Sequence, residues 1–155
     1  MRRYTEIPFD VLPIDNDGYH IMIKGKINDK DANFIIDTGA SQTVFDKTTI
    51  NDFAEPTPVK HKKGVSASVG ASDINITLSV IGKISFNDFN LFDYQGIIID
   101  LSHINDSYRK FNLPVIHAII GGDILKCYDA VINYRLKKLR LTPKKKPDAS
   151  HSNNR

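Results

Sequence analysis

Cysteine is almost missing from this chain of 155 residues: Cys127 stands alone, so no disulfide can form within it. That excludes a disulfide-stapled scaffold and suits a reducing compartment, or a domain that needs no staple. A single thiol with no partner motif reads as an inert side chain rather than a nucleophile. Long apolar runs are lacking too. Glu6, Pro8, Asp10 and Pro13 interrupt any signal-peptide core behind Arg2-Arg3, and no stretch approaches the length of a membrane span. The expectation is a cytoplasmic, unexported chain, so Asn75-Ile76-Thr77 and Asn105-Asp106-Ser107 match the glycosylation pattern by coincidence. His20, His61, His103, His117 and His151 show no metal-ligand spacing. No Lys-Ser/Thr follows Gly64 or Gly70 to make a phosphate loop, and no Gly-x-Ser-x-Gly elbow occurs. No metal and no cofactor is implied.

What is present is ordinary globular composition, 41% hydrophobic and 25% charged, in a length that suits one domain. The net charge of +3 hides an uneven distribution. Lys137, Lys138, Arg140, Lys144, Lys145, Lys146 and Arg155 crowd the C-terminal end, where no aromatic residue follows Tyr134. Stacking platforms for single-stranded nucleic acid are therefore missing there. The plain reading is a solvated tail; the sharper one is a weak contact with polyanions. The chain divides into a domain over residues 1–142 and a basic polar tail, expected to be disordered, over 143–155.

Alternating apolar residues dominate the domain and read as strands. Phe9–Ile14 and Tyr19–Ile27 flank Asp15-Asn16-Asp17-Gly18, a hairpin signal. Asn33–Ile36 leads into Asp37-Thr38-Gly39-Ala40-Ser41; Val44-Phe45 follows as a short strand, and Asp46–Asp52 is polar with helical character. Glu55-Pro56-Thr57-Pro58 reads as a loop. Further strands are expected at Ile74–Val80, Ile84–Phe86, Gln95–Ile99, Ala118–Ile120, Ala130–Asn133 and Lys138–Leu141, with helices over His103–Phe111 and after Gly122 to about Tyr128. The fold class is all-β: a small, partly closed barrel of short antiparallel strands with one or two short helices.

Asp37-Thr38-Gly39 carries the chemistry. Hydrolysing a peptide without a metal or a covalent intermediate needs a base to activate water and an acid to protonate the leaving nitrogen. Two carboxylates within hydrogen-bond reach supply both, because like charges so close cannot both ionise and the pair holds one proton. Phe34-Ile35-Ile36 provides a buried strand to hold such an aspartate, Gly39 a turn without an obstructing Cβ, and Thr38 a bracing hydroxyl. As a bare tripeptide the motif equally fits a strand-end Asx turn.

The wider context is more specific. Phe34–Ser41 resembles the active-site signature of retropepsin-like aspartic peptidases, including the bacterial relatives of the retroviral enzymes. Ile119-Ile120-Gly121 resembles the later apolar-apolar-Gly segment of that family, and Asp123–Tyr134 its short helix and closing strand. The resemblance spans about Tyr19 to Leu141 and implies an acid-protease type of barrel. It also implies Asp37 as the catalytic residue, supported by Thr38, Gly39, Ala40 and Gly121. Ser66–Ser72 falls where the family has its flap, placing Ser68, Val69, Gly70 and Ala71 over the substrate. The sequence has only one such aspartate motif, so the resemblance implies a homodimer acting on a peptide or protein substrate. One departure stands out: viral members often pair an Arg after the later Gly with an acid just past the catalytic Asp, and here Gly122 and Ser41 occupy those places. A catalytically silent, dimeric binding or scaffold module is the alternative.

Overall fold

The computed structural model describes residues 3–53, 57–58 and 77–144. Within them lie β1 (Thr5–Ile14), β2 (Gly18–Ile27), β3 (Lys30–Ile36), β4 (Val44–Asp46), β5 (Thr57–Pro58), β6 (Thr77–Phe86) and β7 (Phe89–Ile99). Helix α1 (Ser102–Lys110), β8 (Ala118–Ile120), α2 (Gly122–Cys127), β9 (Val131–Asn133) and β10 (Lys138–Leu141) follow.

Local chemistry sets the turns. Asn28 and Asn87 take positive φ of 47° and 52°, as does Asp29 at 66°, and short polar side chains tolerate that region best. Asn28-Asp29 thus makes the primed two-residue turn that joins β2 to β3 with Ile27 facing Lys30. Both helices end in the same way. After α1, Asn112 sits at φ 54°, with Leu113 N–H donating to Tyr108 O at 2.9 Å and Asn112 N–H to Arg109 O at 3.1 Å. After α2, Asp129 sits at φ 47°, with Ala130 N–H donating to Leu125 O at 2.9 Å. These left-handed caps satisfy the last helical carbonyls and turn the chain back toward the sheet.

Six strands close a barrel in the order β2–β3–β8–β4–β7–β6, and β6 returns to β2 through Lys26–Ser85 and Ile27–Ile84. Gly25 permits the closure: a Cβ there would lie 2.5 Å from the Phe86 ring and 2.6 Å from Ser85 O. Ile23, Phe34, Phe45, Ile84, Phe86 and Ile120 fill the interior, with Phe34 and Phe86 edge to face at 4.8 Å. Each fully buried ring contributes about 2–3 kcal/mol of transfer free energy. On the outer face, Ile35 packs with Leu12, Met22, Tyr108 and Ile116 beneath α1. β3 is therefore buried on both sides, which is why Phe34-Ile35-Ile36 is continuously apolar rather than alternating.

The all-β expectation holds, with corrections of detail. Not every pairing is antiparallel: β3–β8 and β4–β7 run parallel. The two strands expected over 74–86 are one, β6, within the described residues, and the expected loop contributes β5, with Thr57 facing Val80. The stretch after β4 is a turn and a single 3-10 turn at Ile50–Asp52 rather than a helix. Asp46 is the cause. Its carboxylate is fully buried and accepts from Thr48 N–H, the Thr48 and Thr49 hydroxyls and Leu101 N–H, bonds that compete with helix formation.

The basic cluster is partly engaged within the fold. Lys138 and Arg140 bind the Glu6 carboxylate at 3.0 and 3.2 Å, and their hydrogen bonds hold Glu6 below the ordinary carboxylate value. The Arg140 guanidinium also stacks 3.9 Å from the Tyr4 ring centroid. Residues 145–155, most of the expected tail, lie outside the described residues. Among the described residues no helix is long and apolar enough to cross a membrane.

Candidate active site

β8 lies between β3 and β4, parallel to the first and antiparallel to the second. The connection from β3 to β4, residues 37–43, must therefore step over the end of β8, and Asp37 stands at the start of that step. Its N–H donates to Ile120 O at 3.0 Å, extending the β3–β8 ladder by one residue. Ala40 N–H donates back to Asp37 O at 3.2 Å, closing a tight turn. Gly39 N–H donates to Asp37 Oδ1 at 2.9 Å, which orients the carboxylate. A Cβ on Gly39 would sit 3.2 Å from that same oxygen, so glycine leaves the carboxylate uncrowded. Asp37, Thr38 and Gly39 are exposed, while the three residues before them are buried. The result is a solvent-facing carboxylate on a rigid base.

The expected supporting residues are brought together here. Gly122 N–H donates to Ala40 O at 2.7 Å, and Asp123 N–H to Ser41 O at 3.1 Å. Gly121 presses against the crossing loop: a Cβ would lie 2.7 Å from the carbonyl carbon and oxygen of Gln42 and 2.8 Å from Ala40 O. Those atoms are backbone and cannot step aside cheaply, so a glycine is required by close approach.

Three residues that sequence reasoning did not single out complete the arrangement. Gly121 N–H donates to the Thr43 hydroxyl at 3.0 Å, and that hydroxyl donates to Asp123 Oδ1 at 2.8 Å. Thr43 N–H donates to the same oxygen at 2.9 Å. The Tyr94 hydroxyl donates to Asp123 Oδ2. Burial first, and then this bond to a carboxylate, push the Tyr94 phenol above its ordinary value. Main-chain bonds thus tie the Ala40-Ser41 stretch to Gly122-Asp123, beside one carboxylate, that of Asp123, held by three donors. The sequence signal was slight: a polar Thr43 just before an apolar strand, and an acid opening a short helix after Gly-Gly.

Two hollows flank Asp37-Thr38. One, of about 390 Å³, is lined by Asp37, Thr38, Ile35, Ile119, Ile104 and Tyr134 among others. At its edge His20 Nδ1 lies 2.6 Å from the Tyr108 hydroxyl, and burial pushes that phenol up to about 12. The other, of about 320 Å³, runs from Thr38 along Leu125, Ala130 and Ile132. The expected flap residues Ser68, Val69, Gly70 and Ala71 lie outside the described residues.

His117 is not part of the site. It begins the approach to β8 opposite Asn33, at the far end of the strand from Asp37. Its Nδ1 accepts Asn33 N–H at 2.9 Å and its ring meets Phe53 edge-on at 5.1 Å. Burial holds its pKa below the ordinary 6.5. As pH falls past that value the unfolded chain takes the proton first, so folding stability is expected to drop on acidification. Urea melts at pH 7 and pH 5 check this, and His117→Asn, whose Oδ1 can accept the same N–H, should flatten the difference.

A family model described as aspartyl protease matches residues 23–124, from β2 to α2. Among solved structures, a retropepsin-like aspartic protease from Rickettsia conorii superposes with a TM-score of 0.52 at 14% identity, covering 90% of this chain and 91% of that one. The retroviral protease-like domain of Ddi1 from Leishmania major gives 0.52 at 16% identity, covering 77% and 86%. At such identities the likeness is one of fold. No curated protein matches the sequence.

Proposed function

The chain belongs to the aspartyl protease family, and on that footing we propose that it is an endopeptidase whose catalytic pair is Asp37 and the same residue of a second copy. The observation that carries this reading is the exposed Asp37 carboxylate, oriented by Gly39 N–H on a loop that straddles β8. One such carboxylate per chain is half a dyad, so the working unit is a homodimer. The substrate lies extended across the site, held by main-chain hydrogen bonds. The pair takes a proton from a water molecule as its oxygen attacks the scissile carbonyl carbon. The tetrahedral intermediate then collapses, the C–N bond breaks, and the pair's proton passes to the leaving nitrogen. Thr38, Gly39, Ala40 and Gly121 hold the geometry. The domain occupies residues 1–142, and the basic segment 143–155 acts outside the chemistry.

The test is cleavage of an unstructured protein, with the new termini mapped by mass spectrometry across a dilution series. The rate per chain is expected to fall steeply once the protein is diluted below its dimer dissociation constant. A species shown to be monomeric that retains full specific activity would falsify the shared dyad.

A further inference from the structure

We propose that His20, held in place by Tyr108, makes the hollow beside Asp37 select a tyrosine side chain at the cut bond of the substrate. The proposal rests on the peptidase reading of Asp37 and adds which residue that site prefers. The hollow of about 390 Å³ contains Asp37 and Thr38, so a side chain that fills it belongs to a residue flanking the bond under attack. Ile35, Ile104 and Ile119 give it apolar walls and Tyr134 an aromatic one, a lining that suits a ring. Its polar edge is the pair formed by His20 and Tyr108.

The protons of that pair have one arrangement. Tyr108 is 2% exposed, and among the described residues its hydroxyl has a single hydrogen-bond partner, His20 Nδ1 at 2.6 Å. Burial makes the phenol reluctant to ionise, so it keeps its proton and donates it to Nδ1. The neutral imidazole then carries its own proton on Nε2. His20 is exposed, and its Nε2 has no partner among the described residues. The edge of the hollow therefore offers one N–H, on a ring oriented by the Tyr108 bond and by β2, where His20 is paired with Leu12. A phenylalanine fills the apolar walls and leaves that donor unmet. A tyrosine fills them and accepts the N–H with its phenol oxygen. A glutamate also accepts, but its charge would enter beside the negatively charged aspartate pair.

Paired synthetic peptides that differ only in Tyr or Phe at the cut bond, built on a site mapped in an unstructured protein, test the proposal with the full chain. The wild type is expected to show a kcat/KM about 5-fold higher for the Tyr peptide, the effect of one neutral hydrogen bond. His20→Phe, which keeps a ring and loses the donor, should bring that ratio to about one. His20→Gln, whose amide can accept from Tyr108 and still donate, should restore part of it. Because each ratio compares two peptides on one preparation, it does not move with the fraction of protein folded. The second arm is binding: fluorescence anisotropy of labelled alanine-rich peptides carrying a single Tyr or Phe, read on the wild type and on His20→Phe. Equal cutting of the two peptides, or a Tyr preference that survives His20→Phe, overturns the role of His20 and leaves the peptidase reading standing. A chain that cuts no peptide but binds the Tyr peptide about 5-fold more tightly, through His20, keeps the selective hollow and removes the peptidase reading. A chain that neither cuts the peptides nor prefers Tyr in binding overturns both.

Discussion

Asp37→Asn is expected to lower peptide cleavage at least about 10⁴-fold while the protein stays folded and dimeric. The pair supplies both the base that activates water and the acid that protonates the leaving amine, and each such role is worth roughly 10²–10⁴-fold. An amide can neither accept the first proton nor deliver the second. It is nearly isosteric, and its Oδ1 can still take the Gly39 N–H that now meets Asp37 Oδ1 at 2.9 Å. The loss should therefore appear in kcat, with melting temperature and sedimentation unchanged. The wild-type rate should follow a bell against pH, because the working pair must hold a single proton and both flanks remove that state. Wild-type cleavage by Asp37→Asn would remove Asp37 as the catalyst, and a wild type that cuts no peptide would transfer the chain to the silent scaffold reading.

Much of this site could be read from the residues because its chemistry is local. A buried strand, Phe34–Ile36, ending in Asp-Thr-Gly, with Ile119-Ile120-Gly121 far downstream, already contains the aspartate, its turn and the glycine on which the loop rests. Period-2 patterning and turn residues likewise located most strands. Failures came where non-local pairing decides. Apolar alternation carries no direction, so nothing in it revealed that β8 runs parallel to β3 and is inserted between β3 and β4. The short β5 exists only because β6 is beside it. The polar Asp46–Asp52 stretch suggests a helix locally, but one of the four donors that hold Asp46 out of it is a main-chain N–H contributed from Leu101, far along the chain. Thr43, Tyr94 and Asp123 were invisible as a group for the same reason: they are separated in sequence and converge only when the barrel closes.

That convergence carries the second large effect. Asp123→Ala is expected to lower stability by about 3 kcal/mol and peptide cleavage, per folded molecule, by about 100-fold. Removing the carboxylate strands Thr43 N–H, the Thr43 hydroxyl and the Tyr94 hydroxyl, and an unmet buried donor costs about 1–3 kcal/mol, with part recovered by water. Thr43 is 1% exposed, so its donors have little access to solvent. The catalytic effect follows from position. Thr43 and Asp123 pin the far end of the 37–43 loop to Gly121, and a shift of about 1 Å in a reacting group can cost roughly 10²-fold. Asp123→Asn keeps an acceptor for Thr43 and should recover most of both losses, which separates positioning from the need for charge. Alkaline unfolding gives a further check. The Tyr94 phenol titrates above its ordinary 10.0 in the fold, so the unfolded chain ionises first and stability falls as pH rises past that value. Tyr94→Phe should flatten that limb. An Asp123→Ala protein that melts early yet cleaves at the wild-type rate per folded molecule would reduce the network to a stability device and leave Asp37 positioned by β3 and β8 alone.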